Sequence, residues 1–494
     1  MLKALNSLIV LLVSMVLVIV LFSDLLPLPL DGYASQRFIL AAILALGCIV
    51  AGAAWVSASG LQSFNQVWPA LWVASSFLLL SLPFADRSHA WVEPGMYAAF
   101  FFGFVFIGSL AGSCDQKYRW AIVLVYGATI AAAFYGFATI MIYLFALLDG
   151  VTDLSAFIPW GFVNIRYWSH IATWIIPLLA LTPLIGPFRG QRLWQLLCAV
   201  AAALWWWVAF LSTARGTMLG VAVGVFIAVV FIGRPTLPWL KVFLKYLAYG
   251  AFVWLLLSVL IPSFLSEEAS VRTLKMGSAG RMVMFVEAWQ MSLENFPFGL
   301  GPQSWLTHDI LTAGYLQSSR FGHPHNMYLM WAAEYGWLLI AVLSILVCQA
   351  ILLFWRRRTE VSTQGGGEQV LPLAAYTASV SAALLHAGVS AVFMAPGSML
   401  VGFLVLCVFW ALISSHRKMD VKRGKARLLV SCVIAVILSV LAVFWLREVV
   451  AYHQAMMEDR DSRYGSVPYG TPPRFWYYGD YPRRDDAATE AQLQ

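Results

Sequence analysis

Long apolar runs recur along most of this chain, broken by short polar or basic stretches. A run of about 18 residues or more covers a hydrocarbon core roughly 30 Å thick. Lipid offers no hydrogen-bond partner to a bare backbone, so each run is expected to be a helix. Hydropathy marks thirteen of them, at 4–26, 38–58, 66–84, 95–112, 120–148, 168–185, 193–212, 216–233, 243–262, 326–353, 372–393, 398–415 and 428–446. The first follows Lys3 and lacks an A-x-A cleavage site, so it reads as a retained helix rather than a signal peptide. The pattern predicts an all-α, polytopic transmembrane helical bundle of about 12–13 spans.

Two segments interrupt the apolar pattern. Residues 263–325 form a long loop, and residues 447–494 a polar tail rich in Pro, Tyr, Arg and Asp, expected to be partly disordered. The chain thus divides into N-terminal transmembrane helices (1–262), the loop (263–325), C-terminal transmembrane helices (326–446) and the tail (447–494). Inside the loop, Met284, Ala288, Met291 and Leu293 recur near helical spacing, which predicts a short amphipathic helix at the membrane surface.

Charge fixes an orientation. With residue 1 inside, alternate loops hold Lys117, Arg119, Arg189, Arg192, the run Arg356-Arg357-Arg358 and the basic stretch 417–427. The short loops on the other side hold one basic residue each, namely Arg37, Arg87, Arg166 and Arg215. The positive-inside rule therefore places the long loop and the tail outside. Composition agrees with a membrane chain: of 494 residues, 61% are hydrophobic and 11% charged, against about 25% charged in soluble domains. The net charge of +7 then reports orientation, and no nucleic-acid partner is expected. The six cysteines are scattered without a CxxC, so neither a disulfide framework nor a zinc site is expected.

Chemistry concentrates at the end of the long loop, in Gly322-His323-Pro324-His325-Asn326. Pro324 disfavours helix at His323, so His325 should sit at a helix start, where the dipole disfavours an imidazolium. A neutral imidazole there serves either as a general base or as a cap to the helix or a headgroup. Pro324 is expected to separate the two imidazoles, with Glu287 and Asp309 the next candidates for a base. Arg281 and Arg215 lie on the same side. Arginine forks bind phosphate oxygens bidentately, although Arg281 also suits a snorkelling interfacial cation. Two arginines and a histidine facing outward suggest a site for a phosphate-bearing lipid. The acids Glu267, Glu268 and Asp309 form no D-x-D cluster, so no metal and no cofactor is expected. Walker, HExxH and G-x-S-x-G motifs are lacking.

These residues resemble the O-antigen ligase/polymerase superfamily of bacterial envelope glycosyltransferases. His325-Asn326, nine residues and Gly336 match its H-N-x9-G signature. Arg281 to Trp289 followed by Pro297-Phe298-Gly299-Leu300-Gly301 is similar to its arginine–helix–P-x-G-x-G stretch. Thr213-Ala214-Arg215-Gly216 resembles its arginine turn, and His386 followed by Pro396 a further feature. The resemblance implies transfer of a glycan from an undecaprenyl-diphosphate carrier to an acceptor hydroxyl. The reaction would run at the periplasmic face of the bacterial inner membrane, without a metal and with inversion. His325, Arg281 and Arg215 would be catalytic, while Arg215, Arg281, Asn326, His323 and His386 would bind substrate. The favoured acceptor is the lipid A–core saccharide. Protein Ser/Thr and a growing glycan chain are the alternatives, and a lipid-linked-glycan flippase is the rival of another class.

Overall fold

In a computed structural model of the protein, residues 2–58, 64–112, 117–151, 153–154, 157–162, 164–265, 280–318, 321–363, 367–414, 425–463 and 474–476 are described. They form helices α1 (Leu2–Phe22), α2 (Gly32–Ala58), α3 (Phe64–Leu79), α4 (Val92–Gly112), α5 (Lys117–Leu148) and α6 (Ile165–Leu179). Next come α7 (Arg192–Leu211), α8 (Arg215–Ile232), α9 (Leu237–Trp254), α10 (Ile261–Leu265), α11 (Arg281–Glu294), α12 (Ser304–Thr307) and α13 (Ala313–Leu316). The chain closes with α14 (Met327–Thr363), α15 (Gly367–Ala387), α16 (Pro396–Ile413) and α17 (Lys425–Arg463). Glu267 and Glu268 lie outside the described residues.

Among the described residues, eleven helices are long and apolar enough to cross a bilayer. The other two expected segments are the shorter apolar stretch at the end of α1 and the 15-residue α6. α6 is too short to span as an isolated helix and carries Ser169, His170 and Thr173, yet from Tyr167 to Leu179 every residue is buried. Helices walled in by protein can hold such polar groups at membrane depth. α16 is likewise buried along its whole length, whereas α17 turns Val433, Val436, Val443 and Phe444 outward, as a lipid-facing helix should.

Small residues set the closest helix contact. On α8, Gly216, Gly220 and Gly224 recur every fourth position and face α15: a Cβ on Gly220 would stand 2.7 Å from the Ala382 carbonyl oxygen, and one on Gly224 2.4 Å from that of Ala378. Apolar burial drives little association in lipid, so such small-xxx-small faces let helices gain contact by close approach. A Cβ on Gly216 would meet the His386 ring at 2.4 Å, so the same seam fixes the start of α8 beside the end of α15.

The short helix expected in the loop is α11; its Met284, Ala288 and Met291 pack inside the protein with Trp305, Tyr315 and Ala333, whereas Leu293 is exposed. α14 is broken at Gly336, whose φ of 84° belongs to the left-handed half of the map. The break frees two carbonyls, and the Pro297–Gly301 segment takes them: Leu300 N donates to Ala333 O (2.9 Å) and Gly301 N to Glu334 O (2.8 Å). Backbones touch here, since a Cβ on Gly336 would lie 2.1 Å from Pro297 O.

The tail departs from expectation. The final helix runs on to Arg463 instead of ending near 446, and Arg474, Phe475 and Trp476 are buried. Arg474 Nε donates to Glu93 Oε1 at 2.9 Å, and its Nη2 lies 3.0 Å from Glu93 Oε2 and 2.6 Å from both Glu334 oxygens. Its Nη1 reaches Gly322 O (3.3 Å) and Tyr33 OH donates to its own carbonyl (3.1 Å). Polar residues in a tail read as solvated; these are drawn in by two buried carboxylates.

Removing one partner of a buried ion pair costs about 3–5 kcal/mol. Arg474→Met is therefore expected to lower the thermal midpoint of the detergent-solubilised protein markedly. Adding Glu93→Gln and Glu334→Gln should recover most of the loss. A wild-type melt for Arg474→Met alone would mean that the tail is not docked.

Candidate active site

Alternation of the spans brings the N-terminal ends of α6, α8 and α14 and the C-terminal end of α15 to one end of the bundle. Arg166 is in the first turn of α6, behind the Asn164 cap, and Arg215 and Arg281 are the first residues of α8 and α11. The 321–326 loop leads into α14. Helix N-termini carry partial positive charge and unpaired N–H groups, so each favours an anion. Placing an arginine in the first turn of three of them concentrates that preference.

The groups feel one another. Burial lowers the proton affinity of the Arg281 guanidinium, followed by repulsion from Arg166 and Arg215. Burial also drives His325 down to about 3, with Arg166 and Arg281 adding to the shift. His323 is held well below its usual value by burial first, then by His325, His170, Arg474 and Arg166. Both imidazoles are therefore neutral at pH 7, with burial the largest cause.

His325 is 4% exposed and adopts a φ of 58°, a strained conformation costing on the order of 1–3 kcal/mol in a non-glycine residue. Its backbone N–H donates to His323 Nδ1 at 3.0 Å, and the two rings meet edge-on with centroids 4.3 Å apart. The expectation that Pro324 separates the imidazoles is thus corrected: a proline turn folds one ring back onto the other. The Nδ1 atom of His325 is buried without a hydrogen-bond partner among the described residues. A buried polar atom left so calls for an explanation, and a substrate hydroxyl would supply one.

The remaining expected residues take distinct places. Asn326 caps α14, its Oδ1 accepting from Tyr328 N (3.0 Å) and Leu329 N (3.1 Å), which leaves the Nδ2 end for any ligand contact. His386 sits in the buried floor, with Nδ1 2.8 Å from Thr173 Oγ1 and its ring 5.1 Å from that of His170. Arg215 is exposed at the mouth. Arg281 Nη1 donates to Val389 O (3.1 Å), tying α11 to the turn between α15 and α16. Glu287, a reserve base in the sequence reading, is fully occupied: His308 Nε2, Leu311 N, Thr312 N and the Thr312 hydroxyl all converge on it. Asp309 is exposed on the loop surface.

Arg166 and His170 escaped the sequence reading. The signal for Arg166 was the one already applied to Arg215, a lone arginine in a short outer loop. His170 gave none, because a histidine within an apolar run reads as core. Among the described residues, no three His, Cys, Asp or Glu side chains are placed to hold a metal ion.

A family model described as O-antigen ligase matches residues 199–344. That stretch contains Arg215, Arg281, His323, His325, Asn326 and Gly336, while Arg166, His170 and His386 lie beyond it. No individual curated protein matches the chain.

The contact between the two imidazoles carries a prediction. If His325 acts as a general base in glycan transfer, as proposed below, His323→Ala should impair transfer on the same scale as His325→Ala, a loss of about 10²–10⁴-fold. His323→Gln, whose amide oxygen can still accept the His325 N–H, should retain more. Transfer rates of the purified variants decide; near wild-type turnover in His323→Ala would show that the loop does not depend on this contact.

Proposed function

From the O-antigen-ligase-family segment at residues 199–344, we propose that this multi-pass membrane protein transfers a glycan from an undecaprenyl-diphosphate carrier to an acceptor hydroxyl, with the lipid A–core saccharide as the favoured acceptor. The observation that carries the reading is a neutral, buried histidine that feels the charges of Arg166 and Arg281, with Arg215 close enough to act on Arg281, and whose Nδ1 has no hydrogen-bond partner among the described residues.

The chemistry follows from those groups. Arg281, Arg215 and Arg166 hold the diphosphate and stabilise charge on the departing phosphate oxygen. The acceptor oxygen attacks the anomeric carbon from the face opposite the diphosphate. A C–O bond forms, the anomeric carbon–phosphate oxygen bond breaks with its electron pair going to the diphosphate, and the configuration inverts. The hydroxyl proton passes to His325 Nδ1. An imidazole titrating near 3 is a poor base by itself. Bound diphosphate cancels the arginine charges that help depress it, so the donor itself raises the proton affinity of the base.

Lys117 and Arg357 lie at the opposite end of the bundle, bonded to Ser414 O and Gln369 Oε1. By the positive-inside rule this supports a periplasmic site in the bacterial inner membrane. Three guanidinium groups supply the positive charge a cation otherwise would, so turnover is proposed to survive EDTA.

Reconstituted protein with purified carrier-linked glycan tests the reading. His325→Ala should bind donor and lose transfer by about 10²–10⁴-fold, and Arg281→Lys should weaken donor use because the fork is lost. The pH profile adds a signature. In free enzyme His325 stays unprotonated down to about pH 3, whereas donor binding raises its pKa, so the acid limb of kcat should lie at higher pH than that of kcat/KM. Coincident limbs, or near wild-type transfer by a well-folded His325→Ala, would overturn His325 as the base.

A further inference from the structure

A second concavity opens at the same end of the bundle, between the end of α1, the start of α2, the approach to α6 and the start of α16. Its volume is about 530 Å³ and its wall includes Asp24, Asp31, Tyr33, Gln36, Tyr167 and Ser398. Ligand pockets for small molecules run roughly 300–1,000 Å³, so this space suits one or two sugar rings. It adjoins the arginine–histidine site through α6. Tyr167 follows Arg166 in the chain, and its ring lies 6.2 Å from that of His170.

The chemistry of the wall is the opposite of the neighbouring cluster. Where the arginines gather positive charge, this space presents two carboxylates, and the one guanidinium in its wall, Arg460, is paired with Asp461 at 2.9 Å, which leaves the wall acidic on balance. A diphosphate is repelled there, and an acyl chain would strand the carboxylates. A neutral, hydroxyl-rich ligand fits. Carboxylates accept from sugar hydroxyls, while the Tyr33 and Tyr167 rings, with centroids 5.6 Å apart, offer apolar surface for sugar C–H faces. Ser398 Oγ accepts from Trp174 Nε1 at 3.2 Å and keeps its proton to donate. Gly397 lets the start of α16 pack directly on Gln36, since a Cβ there would lie 2.8 Å from Gln36 Oε1.

We propose that this cavity is the acceptor subsite and that it takes a neutral saccharide. The inference rests on the transfer reaction proposed above and gives its acceptor a place in the fold, beside α6 and apart from the arginines. In-line attack places the acceptor oxygen across the anomeric carbon from the diphosphate. The acceptor pocket must therefore be adjacent to the arginine cluster but must not itself be cationic, and this cavity meets both conditions.

The test uses full-length protein in liposomes and two probes, a soluble, uncharged hexose oligosaccharide and a peptide bearing Ser and Thr. Asp24→Asn and Tyr167→Ala each remove one contact, worth about 0.5–1.5 kcal/mol, so the acceptor KM should rise roughly threefold to tenfold with the donor KM unchanged. Without donor, saturation-transfer NMR should detect the oligosaccharide on wild type and on His325→Ala, and weakly or not at all on Asp24→Asn. A rise in donor KM, an unaltered acceptor KM in both variants, or binding of the peptide in place of the oligosaccharide would overturn the proposal. The NMR arm does not depend on catalysis, so failure of His325 as the base and failure of this subsite register separately.

Discussion

One guanidinium, that of Arg474, must satisfy two carboxylates beyond the reach of water, and the solution ties distant parts of the chain together. Glu93 opens α4 and Glu334 lies two residues before the break in α14, so an arginine bonded to both holds the two helices in register. The same side chain reaches the Gly322 carbonyl, one residue before His323. Glu334 in turn accepts the Trp305 backbone N–H at 3.1 Å, which anchors the long loop. None of these charges could be buried alone, because desolvation costs several kcal/mol per ion. The position of the histidine loop is therefore a consequence of charge neutralisation in the interior.

That dependence explains what the sequence could and could not disclose. Hydropathy depends on local composition, so the thirteen apolar segments, and the parity that gathers Arg215, Arg281, His325 and His386 at one end, were legible. Asn326-x-Tyr328 before an apolar run is a capping pattern of short range. Arg474 was hidden, since nothing in a Pro- and Tyr-rich tail announces two carboxylates 140 and 381 residues away. Gly336 stood in a recognisable motif whose reason became visible only when Pro297–Gly301 was seen to occupy the broken helix. His170 was hidden by the opposite effect, a polar residue whose apolar neighbours make it look like packing.

The proposed reaction would ask two opposing things of the site. Holding a diphosphate would call for concentrated positive charge, yet that charge, with burial, suppresses the proton affinity of the His325 imidazole. Arg281 records the same tension, its own charged form disfavoured by burial and by two like neighbours. An anion would relieve both groups, so on this proposal a preference for the diphosphate and the activation of His325 as base would share one physical origin. A base already poised near neutrality could titrate without the donor; His325 would be matched to the bound state.

Precision in such a site has to come from elements that cannot drift, and in lipid the hydrophobic effect does not press helices together. Here the restraint is steric. Gly216, Gly220 and Gly224 let α8 settle against the backbone of α15 until the Gly216 position touches the His386 ring. Arg215 is the residue immediately before that contact, and His386 is bonded through Thr173 to α6, which carries Arg166 and His170. A seam that reads in sequence as an association motif therefore also sets the spacing between two arginines and the buried histidines. Widening it by one methyl group at Gly216 would displace the imidazole floor before it measurably loosened the bundle, so helix packing and site geometry in this protein are a single constraint.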